Sequence, residues 1–105
     1  MEWQGSSARV WEQDGALYFE GDLTDIGIIP LRARLIEFAR SYEGTTLTAD
    51  LSNVQRIGHT GLGILDALRQ ALSDRGIKLV LASPPGPVLQ MLVTTRLAQR
   101  FDIVL

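Results

Sequence analysis

The chain has 105 residues, no cysteine, one histidine and a formal net charge of −2. That length holds one domain, and the 46% hydrophobic content supplies a core for it. Without cysteine there is no disulfide, thiolate metal site or cysteine nucleophile, and a single histidine excludes a His-cluster metal site. Ten Lys and Arg are scattered among twelve acids rather than gathered in a stripe, so no nucleic-acid partner is expected. The opening MEWQGSSARVWEQD lacks a basic stretch followed by an apolar run, and no apolar run reaches the roughly 18 residues needed to span a bilayer. The expectation is a cytoplasmic domain with no membrane insertion.

Residues 1–7 read as a loose, polar start. ARVWEQ and ALYFEG, joined by Asp14-Gly15, read as a β-hairpin. Gly21-Asp22-Leu23-Thr24-Asp25 ends it. From Ile28 the apolar period becomes helical through Leu31, Leu35, Phe38 and Ala39, with Pro30 in the first turn, an end near Ser41–Gly44 and Gly44 as the natural terminator. Thr45 to Leu51 reads as a strand, followed by a loop over Ser52–Thr60. A second helix, Gly61 to about Arg75, carries Leu62, Leu65, Leu68 and Leu72 on one stripe. IKLVLA, Ile77 to Ala82, reads as a strand buried on both faces. SPPGP turns into a third helix with Val88, Leu89, Leu92 and Val93, capped by Ser83 or a neighbour, and FDIVL closes the chain as an edge strand. The order is β-β-α-β-α-β-α-β, an α/β fold with a mixed central sheet flanked by helices.

The chemistry concentrates on Gly58-His59-Thr60-Gly61-Leu62-Gly63, where a strand passes into a helix. A helix N-terminus carries unpaired N–H groups and partial positive charge, so it favours an anion or a phosphorylated hydroxyl. GHTGLG lacks the length and the lysine of a nucleotide-binding P-loop. A triad on His59 would draw on Thr60 with Asp50 or Asp66, and neighbouring helical residues do not face one another, so no enzyme is read here. Thr60 reads as a cap or first-turn residue, His59 as an exposed contact, and Gly61 and Gly63 as points of close approach.

GDLT at Gly21–Thr24, LTADLSNVQRI, GHTGLGIL and DRGIKLVLASPPGPVLQML, in that order and spacing, resemble the STAS domain of bacterial anti-sigma factor antagonists over residues 8–105. The same fold serves sulfate transporter tails and a small subunit of a phospholipid-trafficking ABC system. The resemblance implies a noncatalytic interaction domain without cofactor or metal. In the antagonists a partner kinase, doubling as anti-sigma factor, phosphorylates the first Ser after an Asp, and the phosphate breaks binding. Aligned on Gly61-Leu62-Gly63, that Asp falls on Gly58, the phosphorylatable Ser on His59 and the next Ser on Thr60. Both hallmark positions are changed, and Thr60 is the one hydroxyl left in the motif. The implied binding face combines Asp22, Thr24, Asp25, Arg56, His59, Thr60, Asp66 and Arg69 around the motif loop of Gly58 to Gly61. The implied partner is a GHKL-type kinase/anti-sigma factor. The alternatives are the ATPase of a phospholipid-transport ABC system, bound by this chain as accessory subunit, and a stand-alone relative of an anion-transporter tail. The sequence leaves the oligomeric state open.

Overall fold

The computed structural model describes residues 2–5, 7–24 and 28–105. These form the strands β1 (Glu2–Gln4), β2 (Ala8–Gln13), β3 (Ala16–Leu23), β4 (Thr46–Ile57), β5 (Lys78–Ala82) and β6 (Asp102–Val104). The helices are α1 (Ile29–Ser41), α2 (His59–Ser73) and α3 (Gly86–Thr94), with a 3-10 turn at Leu97–Gln99. The six strands lie side by side in chain order. β1, β2 and β3 pair antiparallel, and β3 to β6 pair parallel.

The Asp14-Gly15 hairpin forms as read, with φ of 53° and 80°, the left-handed pair that a two-residue hairpin turn requires. β1 is an addition to the order read from the sequence. Residues 2–4 pair with Arg9, Val10 and Trp11, and the Trp3 ring packs edge-on to Phe38 of α1 with centroids 5.8 Å apart. A three-residue strand is too short to show period-two alternation, so composition alone leaves it looking like a loose start.

Each parallel crossover advances the sheet by one strand in the same direction, and right-handed crossovers then lay the helices over one face. The burial pattern agrees. Val10, Leu17, Phe19, Leu47, Ala49, Leu51, Leu79 and Leu81 are buried on the helix side. Their strand neighbours Trp11, Tyr18, Thr48, Asp50, Val80 and Ala82 are only half-buried. β5 therefore buries one face rather than two, because no helix among the described residues covers the other. On the core side, Leu31 and Leu35 of α1, Leu65 and Leu68 of α2 and Val88 and Leu92 of α3 close the cluster.

Two helix ends are made differently from the sequence reading, although α1 ends within the Ser41–Gly44 range expected. α1 stops at Ser41 because Tyr42 turns extended (φ −66°, ψ 134°). No left-handed glycine ends it; the Arg75 guanidinium, from just beyond α2, donates to the carbonyls of Ala39 at 2.5 Å and Tyr42 at 2.6 Å. Ser83 does not cap α3. It sits at φ 54°, its N–H bonds to the Val104 carbonyl at 2.7 Å, and Pro85 is the N-cap residue.

Candidate functional site

The site forms where β3 and β4 end and α2 begins. β4 runs six residues past Leu51, through the segment read as a loop, because it continues to pair with β3 after a bulge. Tyr18 faces Asp50, a bulge shifts the register so that Glu20 faces Asn53 and Gly21 faces Val54, and a second shift after Gly21 sets Asp22 against Arg56 and Leu23 against Ile57. The bulge sits by Asp50, whose carboxylate accepts from the Ser52 N–H at 2.9 Å and from the Ser52 hydroxyl at 2.6 Å. The extended pairing carries Arg56 next to Asp22.

Asp22 organises the first loop. One carboxylate oxygen accepts from the Thr24 N–H at 2.9 Å and from the Thr24 hydroxyl, and the other accepts from Arg56 Nη2 at 2.9 Å. The Thr24 hydroxyl bond, followed by the Arg56 bond, holds the Asp22 carboxyl below its ordinary range. Asp25 lies outside the described residues.

α2 starts against this loop. The Gly58 N–H donates to the Leu23 carbonyl at 3.2 Å, and the Gly58 carbonyl accepts the first helical bond, from Leu62 at 2.9 Å. Gly58 is the N-cap residue in open, extended geometry (φ −123°, ψ −167°), and among the described residues no side chain caps the helix. Its conformation is one that any residue adopts, and a Cβ there would meet Thr24 at an ordinary 3.5 Å. Thr60 is thus a first-turn residue and not a cap. Gly61 is buried, and a Cβ on it would lie 2.5 Å from the Leu23 carbonyl oxygen and 2.8 Å from Ile57 Cγ1. Glycine is required at that point. Gly63 faces open space, so the close approach read for both glycines holds at Gly61 alone.

The surface that results is small. His59 is exposed, Thr60 is half-buried, and Thr24 stands exposed beside Gly58. No acid occupies the first turn of α2, so the positive end of the helix is offset by no carboxylate of its own. The structure brings Asp22, Thr24 and Arg56 into one bonded cluster next to the His59–Thr60 turn. Asp66 stands two turns along α2 from His59. Its carboxylate accepts from Arg69 Nε at 3.0 Å and Gln70 Nε2 at 3.2 Å, and Arg100 comes within 3.7 Å. Asp66 and Arg69 are therefore engaged with each other and with the C-terminal segment. The bulge at Asp50-Ser52 and the clasp of Arg100 escaped the sequence reading. The Asp-x-Ser spacing was the one local sign of the first, and the second depends on tertiary placement alone.

A mixed sheet whose parallel half is built from βα units, with a glycine-pinned helix start at the end of β3 and β4, defines a domain of the STAS type. The chain belongs to that family: the STAS domain model matches residues 7–105. No curated protein sequence matches it. Among solved structures, an anti-sigma factor antagonist from Mycobacterium paratuberculosis is similar at 22% identity and TM-score 0.73, covering 93% of this chain and 84% of that one. The anti-sigma factor antagonist SpoIIAA in its unphosphorylated form is similar at 13% identity and TM-score 0.73, covering 94% and 89%. A candidate anti-sigma factor antagonist from Thermotoga maritima shares 20% identity at TM-score 0.72, covering 90% and 83%. At these identities the likeness is one of fold.

Proposed function

We propose that this chain is a noncatalytic, cytoplasmic regulator of the anti-sigma factor antagonist kind. It binds an ATP-binding kinase/anti-sigma partner through the α2 start and the adjoining loop, and it lacks the serine switch. The observation that carries this reading is the surface at the end of β3 and β4. His59 stands exposed at the first helical position, beside the Asp22–Thr24–Arg56 cluster, on a helix start pinned by Gly61 against Leu23. The likeness in fold to anti-sigma factor antagonists supports an anti-sigma factor as the class of partner.

The switch that the family resemblance implies needs an accessible hydroxyl whose phosphorylation makes a neutral contact patch doubly negative. An imidazole at that position offers a serine/threonine kinase no acceptor. Thr60 is half-buried one residue further into the turn that Gly61 presses onto β3. The surface is accordingly constitutively unphosphorylated, or switched by other means.

The test is affinity capture from the native cell with the bound proteins identified and the intact mass of this chain recorded. Recovery of an ATP-binding kinase/anti-sigma factor with an unmodified chain supports the reading. A phosphate on Thr60 would show that the switch had moved by one residue. Recovery of an ABC ATPase with its permease would overturn the regulatory reading in favour of an accessory-subunit role. With the kinase in hand, the double variant Gly58→Asp/His59→Ser restores the acceptor and is expected to gain one phosphate and lose affinity on adding ATP.

A further inference from the structure

The basic side chains of this acidic protein are unevenly satisfied. Arg9 pairs with Glu2 and Glu20, Arg56 with Asp22, Arg69 and Arg100 with Asp66, and Lys78 with Asp102. Arg75 is spent on two α1 carbonyls. Arg32, Arg34 and Arg40 on α1, and Arg96 just after α3, form no ion pair with a described residue, although the chain carries more acids than bases. The one acid within α1 is Glu37.

Two of these arginines border a concave surface. α1 and α2 pack side by side, and a groove of about 340 Å³ runs between them. Arg32, Ile36 and Arg40 recur every four residues along one wall, and Ala67 and Ala71 keep the same spacing on the other. Eight residues of helix make the groove about 12 Å long, some two turns. Ile36, Ala67 and Ala71 form a half-buried apolar strip along it, and the small alanines leave room for a close approach; Gln70 lines it as well, Arg75 adds to its positive rim and Asp74 opposes it at the far end.

We infer that the α1–α2 groove is a second docking surface, distinct from the α2 start, and that it takes an acidic amphipathic helix from a protein partner. A helix laid along two packed helices sets its apolar ridge between theirs, here over Ile36, Ala67 and Ala71. Its flanking glutamates then meet Arg32 and Arg40, which form no ion pair with a described residue. The local charge steers such a segment and fixes its orientation. Extended polyanions fit less well: a flat bilayer does not reach a groove floor, and the domain as a whole is acidic, with a pI near 5.2.

The probe is a synthetic amidated peptide of about four helical turns, with leucine and alanine at i, i+3, i+4 and i+7 and glutamate on both flanks. It is titrated into the full chain and followed by amide NMR shifts and fluorescence anisotropy. Saturable shifts confined to Arg32, Ile36, Arg40, Ala67 and Ala71 are expected. Raising salt from about 0.05 to 0.5 M should weaken binding severalfold. Arg32→Glu/Arg40→Glu should weaken it at least about tenfold, and Arg32→Gln/Arg40→Gln by an intermediate factor. Both pairs lie on an exposed helix surface, and an unchanged Tm verifies that each variant is folded. His59→Ala should leave this binding intact, which separates the groove from the surface proposed for the antagonist role. A scrambled peptide of the same composition binding equally well would overturn the inference. So would undiminished binding to the charge-reversed variant, or the same shifts produced by phosphatidylglycerol vesicles or an RNA oligomer.

Discussion

Gly61 and Gly63 sit two positions apart at the start of α2 and should respond in opposite ways to one methyl group. At Gly61 the added carbon meets a backbone carbonyl that cannot swing aside. The overpacking outweighs the roughly 1 kcal/mol that alanine gains as a helix former, so Gly61→Ala is expected to cost about 1–2 kcal/mol in urea unfolding. At Gly63 nothing stands in the way, and Gly63→Ala should stabilise by about 0.5–1 kcal/mol. The two glycines look alike in the sequence; what separates them is where the end of β3 lies. Asp22 gives a second test at this scale. Its bonds to Thr24 and Arg56 need the ionised carboxylate, which is why its pKa is lowered. They stabilise the fold above the ordinary value of 3.8, and that contribution is lost as pH falls through the lower native value. Carboxyl-carbon NMR should show Asp22 titrating below 3.8, with Thr24→Val and Arg56→Ala each moving the midpoint back up.

Among the elements, the hairpin and the three helices were legible because each is marked locally. Asp14-Gly15 demands left-handed backbone, and the leucine stripe of α2 repeats at helical spacing. The ends of elements were less legible, because distant residues set them. β4 continues through SNVQRI, a polar stretch with no strand signature, since the end of β3 offers it a partner after the bulge. That extension is what joins Arg56 to Asp22, so half the site was hidden with it. α1 likewise ends where a residue 33 positions away supplies its donors. Arg75→Ala leaves the Ala39 and Tyr42 carbonyls to water and is expected to cost about 1 kcal/mol, the net worth of such bonds at an exposed site. Hydrogen exchange should quicken in the last turn of α1 and leave α2 protected, which distinguishes a lost cap from a general loosening.

At the level of the whole molecule, the succession of crossovers in one direction gives the sheet a covered face and an open one, and every strand inherits that asymmetry. IKLVLA shows how this escapes a sequence reading. All its apolar side chains look equally suited to a core, and only the position of α2 and α3 over one face divides Leu79 and Leu81 from Val80 and Ala82. The division has a measurable consequence in adjacent residues of a single strand. Leu81 is fully buried, with Ala49 and Ile103 beside it on the covered face. Leu81→Ala removes that packing and should cost about 2–5 kcal/mol. Val80 points to the open face between Thr48 and Asp102, where a hydroxyl can reach water. Val80→Thr should therefore change stability by no more than about 0.5–1 kcal/mol. If helices covered both faces, burying an unpartnered hydroxyl at Val80 would cost about 1–3 kcal/mol. Comparable losses at the two positions in urea unfolding would thus contradict the one-sided sheet, and with it the placement of the α1–α2 groove on the outer surface of the helix layer.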